Sequence, residues 1–256
     1  MCLKKWSNKQ PKIIDKQAGW TVLPSVGYKM PPDFPSPLYV KVSSALLKYK
    51  DTHRAQWLSF GLGWNGVAYR YRALFEYDDQ FTASVIEYSN SPIFEERYNQ
   101  GKALFGFFAN STSDIECFFY SNYCIASILK PDVFSISDAD KLRSINPKKV
   151  KEKFQTCFPT DCISVMMDEC IKDATYTKMS EVRDVLTHRG IPPRSFYRGG
   201  ERDGMATIPD NIKAPVDQWL YDLPIDKKTT ASRRIWLTDT LNVLIAATDH
   251  FCSQRL

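Results

Sequence analysis

Apolar residues recur along this chain at helical rather than strand spacing. Ile163, Met166, Met167 and Cys170 stand at i, i+3, i+4 and i+7, which predicts a helix over residues 160–172. Met179, Val182, Val185 and Leu186 do the same for residues 177–188, and Gly190 followed by Pro192 and Pro193 supplies a stop. Ile235, Trp236, Leu237, Leu241, Leu244, Ile245 and Phe251 make the inward face of a final helix, from Thr230 or Ser232 to about Cys252. Residues 147–156 carry weaker helical signals. Residues 189–231, rich in Gly, Pro and charge, read as a long loop, and the polar stretch after Pro131 reads as a connector.

Upstream, residues 94–108 begin amid acidic side chains and close in an apolar run. The polar stretch 110–114 then reads as a capping segment: Ser111, Thr112 or Ser113 is placed to cap, and Asp114 and Glu116 favour a helix N-terminus. The helix expected from there to Leu129 is apolar around most of its circumference, as a helix buried by several neighbours is. Residues 38–50 lean towards helix. Gly61, Gly63 and Gly66 interrupt the aromatic-rich stretch 53–75 and predict a turn between two helices; no Lys-Ser/Thr follows them, so they do not make a phosphate loop. Six prolines within residues 1–37 predict an irregular arm. Strands are hard to find. The expectation is a mainly α helical bundle, divided into the arm (1–37), an N-terminal helical region packing on the core (38–109) and a C-terminal bundle (110–256).

Composition changes this picture little. The chain has 256 residues with 34 Lys+Arg against 29 Asp+Glu, a net charge of +5 that announces no nucleic-acid binder. Most of the excess lies late: residues 1–140 hold 15 basic and 14 acidic side chains, residues 141–256 hold 19 and 15. No apolar run approaches the ~18 residues of a membrane span, and MCLKKWSNKQPK lacks the apolar stretch of a secretory signal. Seven cysteines form no C-x-x-C, and three histidines join no Cys/His cluster. A cytoplasmic protein with no metal, cofactor or membrane partner is the expectation.

Reactive residue types crowd together in one place, the run Arg183-Asp184-Val-Leu-Thr187-His188-Arg189-Gly190. Histidine is the side chain best suited to proton transfer near neutral pH. Asp184 and His188, at i and i+4, share a helix face, so the carboxylate has the spacing to hold a ring nitrogen. A permanently charged guanidinium beside a tunable imidazole suits phosphodiester chemistry: Arg183 would stabilise the transition-state charge while His188 moves a proton. The same run also suits a solvated helix end, where His188 and Arg189 favour the dipole. Five arginines and no lysine fall between Arg183 and Arg202, interleaved with Phe196 and Tyr197. Guanidinium forks fit phosphates and aromatic rings stack on unpaired bases, which marks Arg189, Arg194, Tyr197 and Arg198 as candidate substrate-binding residues. A second basic cluster comprises Lys141, Arg143, Lys148, Lys149, Lys151 and Lys153.

The pattern of Arg, a polar residue and then His closing an apolar helix, with a further helix after it, resembles the HEPN superfamily. Arg183, Asp184 and His188 fill its motif positions, with Asp standing where Asn is commoner. The resemblance covers about residues 110–252. It implies a compact four-helix core, here at about 112–129, 147–172, 177–189 and 232–252. It also implies a metal-independent endoribonuclease of a toxin, defence or RNA-processing system, its composite site formed at a homodimer interface from two copies of the motif. The alternative is a non-catalytic HEPN-like module that binds nucleotide, RNA or a partner protein.

Overall fold

The computed structural model describes residues 19–88, 94–188 and 226–256. It is mainly α, a helical bundle. Helices α1 (Ser36–Leu46), α2 (Arg54–Tyr88), α3 (Phe94–Leu129), α4 (Ala139–Arg143), α5 (Pro147–Cys157), α6 (Cys162–Lys172), α7 (Ala174–His188) and α8 (Lys228–Arg255) follow a small hairpin, β1 (Thr21–Leu23) and β2 (Tyr28–Met30). The hairpin is a correction within the expected irregular arm, whose residues 1–18 lie outside the described part. Its strands pair antiparallel, Thr21 opposite Met30 and Leu23 opposite Tyr28. The connection turns at Gly27, whose φ of 74° a side chain would resist.

The glycine stretch is not a turn. α2 runs through Gly61, Gly63 and Gly66 as one helix of 35 residues. Glycine weakens a helix interior, so something else must favour it there, and that is close approach. A Cβ on Gly63 would stand 2.5 Å from Ser121 Oγ and 2.7 Å from Tyr120 Cδ1, and one on Gly66 would stand 2.8 Å from Cys117 Sγ. Far along the same pair, Gly106 of α3 seats the ring of Tyr77. These contacts lay α2 and α3 antiparallel, with backbones closer than larger side chains would allow.

The expected capping segment is likewise interior to a helix. α3 is continuous from Phe94 to Leu129, so the division expected at 109/110 falls mid-helix. Instead of capping, the polar side chains bond back onto their own helix: Asn110 Nδ2 donates to Gly106 O at 2.7 Å, Ser111 Oγ to Phe108 O at 3.1 Å and Thr112 Oγ1 to Phe108 O at 3.0 Å. The helical stretches read at 147–156 and 160–172 are α5 and α6, so the single core helix that the resemblance implied over 147–172 is two. Phe158 closes α5, and Ser164 Oγ donates to Phe158 O at 2.6 Å across the break.

Core residues from Leu23 to Cys252 form one contiguous cluster. α3 is its axis, contacting α2, α5, α7 and α8. Phe134, Phe154, Phe158 and Phe251 close one end, with ring centroids 5.0 to 6.0 Å apart. α8 threads this core and is tied at several depths. Thr248 Oγ1 donates to Asn122 Oδ1 of α3 at 3.1 Å, and Arg255 forks onto buried Asp161, its Nη2 3.1 Å from Oδ2. Among the described residues no helix is long and apolar enough to cross a membrane.

Candidate functional site

α7 presents the Arg183–His188 run. Its buried face, Met179, Val182, Val185 and Leu186, packs against α3 and α6, which leaves the alternating polar positions turned outward. Asp173 opens the helix by accepting the Thr175 amide at 2.6 Å. Thr187 Oγ1 closes it, donating to Arg183 O at 2.7 Å. His188 is the last described residue of α7 and is exposed.

Arg183 is half-buried and lies between two carboxylates. Its Nη2 donates to Glu116 Oε1 of α3 at 3.1 Å, and its Nε lies 2.9 Å from Asp184 Oδ1, an ion pair without hydrogen-bond alignment. Asp184 is therefore spent on Arg183. Among the described residues no hydrogen bond or ion pair joins it to His188, although their spacing puts them on one face. Tyr176, a hydroxyl that feels both Glu116 and Arg183, is pushed up to about 12 by burial and stays protonated. Arg183 and His188 are separated by about 7.5 Å along the helix axis and about 140° around it on ideal geometry, so a single α7 does not aim both at one phosphate.

Glu116 is the residue that sequence reasoning missed. It stands 67 positions from Arg183, and its only local signal was a false one, the capping role now removed by the continuity of α3. Arg189, Arg194, Tyr197 and Arg198 lie outside the described residues. The second basic cluster does not make one face. Lys151 turns in to Asp168, at 3.5 Å, and Lys153 donates to Val133 O at 2.6 Å, while Lys148 and Lys149 stay exposed.

Other reactive side chains are quieter. Burial pushes the thiols of Cys124, Cys170 and Cys252 up to about 12, so they are protonated core residues. Among the described residues no three His, Cys, Asp or Glu side chains converge to hold a metal ion. Asp114, fully buried between α2 and α3, hydrogen-bonds through neither carboxylate oxygen, and burial pushes its pKa well up against the opposing pull of Arg70.

Comparisons with protein-family models, curated proteins and solved structures return no match. Function therefore rests on the site.

Proposed function

We propose that this protein is a HEPN-like RNA-handling module that cleaves phosphodiester bonds without a metal, at a site completed when two copies bring their α7 ends together in a homodimer. The observation that carries this reading is that α7 holds both Arg183, half-buried and oriented by Glu116, and His188, exposed at the end of its described part. His188 serves as general acid/base at the ribose 2′-OH or the leaving oxygen, and Arg183 stabilises the charge that develops on phosphorus oxygens. The separation of the two on a single helix is the reason to require the partner copy: one chain's Arg183 and the other's His188 can meet on a phosphate that neither α7 reaches alone. A toxin, defence or RNA-processing role accords with such an activity, and the cytoplasm is its setting.

The decisive assay is RNA cleavage in excess chelator by wild type, Arg183→Ala and His188→Ala. Loss of a general acid/base lowers the rate by about 10²–10⁴-fold. Undiminished cleavage by either variant overturns the mechanism. Sedimentation of the wild type, expected at twice the chain mass, checks the dimer.

One observation favours the second reading, a binding module that does not cut. Two acids already neutralise Arg183, so a phosphate must compete with Glu116 and Asp184 for it. Salt-sensitive RNA binding that survives His188→Ala, without cleavage, selects that reading.

A further inference from the structure

A second constellation lies away from α7, on the outer face of α2. Tyr69, Ala73 and Tyr77 recur at i, i+4 and i+8, and β2 lays Tyr28 against them to enclose a cleft of about 430 Å³. That size falls in the range of small-molecule sites. Ala73 leaves a gap between two rings, and Tyr69 is 61% exposed at the mouth.

The polar side chains of the cleft are fixed in advance. Arg72 lies 5.4 Å from the Tyr28 ring and 5.7 Å from the Trp20 ring, and is tied to Glu76 at 2.9 Å and to Lys29 O at 3.3 Å. Because Arg72 and Glu76 cancel in charge, the cleft is no phosphate funnel. What it offers is ring faces together with mixed donors and acceptors on Arg72, Glu76 and Gln80. The Tyr28 hydroxyl is buried and shut off from the open cleft, so it stays a support of the wall. Arg72 and Glu76 already satisfy each other, and a heterocycle can stack on the exposed Tyr69 ring while turning its polar edge to Gln80 and to the remaining donors of Arg72.

We infer that this cleft binds an unpaired nucleobase, stacked against Tyr69 and read along its edge by Arg72 and Gln80. The base comes either from a free nucleotide or from an RNA strand; the second source rests on the RNA reading of α7 and makes the cleft a second anchor for the same strand.

Calorimetric titration with adenosine and uridine monophosphates, and with an unstructured RNA oligonucleotide, tests this on the full chain. Tyr69→Ala should weaken binding about tenfold, within the range for losing one stacked base. Gln80→Ala removes an exposed amide at the cleft, so the fold is kept while affinity falls severalfold. Undiminished binding by Tyr69→Ala or by Gln80→Ala, or no binding of any of the three probes, overturns the inference. Binding of N-acetylphenylalaninamide in place of nucleotides does so as well. If mononucleotides bind but RNA is never cut, the α7 mechanism fails and this site stands. If RNA is cut and the cleft variants match wild type, the reverse holds.

Discussion

Arg183 and Arg234 each face two carboxylates, yet the two arrangements serve different ends. Arg234 of α8 reaches into the bundle, its Nη1 3.0 Å from Asp78 Oδ2 and its guanidinium 4.5 Å from the Phe75 ring, with Asp33 on the far side at 3.8 Å. The Asp78 side chain is only 5% exposed. Glu116 and Asp184, which hold Arg183, are 39% and 60% exposed. A buried charge that loses its partner has no water to turn to, whereas an exposed one does. Arg234 is consequently a fixed tie between α8, α2 and the segment after the hairpin. Arg183 is held in orientation but free to exchange one anion for another, which is what a phosphate-binding group needs.

The largest expected effect breaks the buried member of this comparison. Asp78→Ala leaves Arg234 only the more distant Asp33, at 3.8 Å, and should cost about 3 kcal/mol of stability, measured by chemical denaturation. Replacing both partners, Asp78→Leu with Arg234→Leu, should recover much of that loss, since the one charge left behind, Asp33, is partly exposed to water. If the double variant is as unstable as the single one, the tie is not the reason for the loss.

Next comes the close contact of α2 with α3, the helix that carries Glu116. Gly63→Val pushes into Ser121 and Tyr120 and should destabilise by about 1–3 kcal/mol, seen as a lowered melting temperature. An unchanged melting temperature would mean that α2 and α3 can separate freely.

Asp114 gives an effect of similar or smaller size and opposite sign. Its pKa is raised by burial, so the fold prefers its protonated form. The stability it allows is greatest below the ordinary aspartate pKa and declines as pH rises through the raised value. Asp114→Asn should flatten that decline and add about 1 kcal/mol at neutral pH. A pH series of melting curves in which the two proteins stay parallel contradicts this.

The smallest structural effect should come from the exposed pair. Glu116→Gln is expected to change stability by less than about 1 kcal/mol. Because it removes one competing acid, it should also tighten RNA binding at Arg183 by about threefold to tenfold at low salt, with the gain fading as salt rises. Weaker binding would instead make Glu116 a required positioning residue. Between them the two outcomes decide whether the acid restrains Arg183 or only aims it.

Much of the helical order was legible because it is local. The stripe from Ile163 to Cys170 and the face from Met179 to Leu186 recur at a period that only a helix buries on one side, and both lie where the structure has α6 and α7. The errors share a cause. Glycines at 61, 63 and 66 and the polar run at 110–114 carry the local signature of a turn and of a cap, and both sit inside long helices. A glycine that permits a turn also permits close packing, and a serine that caps also bonds back to the carbonyl behind it. Which of the two happens depends on what stands opposite.

The sequence by itself determined a mainly α bundle and the presence of Arg183, Asp184 and His188 together near a helix end, since spacing along one helix needs no partner. Only the tertiary structure decided that Asp184 turns to Arg183, that Glu116 joins them from α3, and that Tyr28 crosses to the tyrosines of α2. The contacts of Glu116 and Tyr28 join residues far apart in the chain, and no local pattern records them because they form only when burial of the shared core brings their elements together.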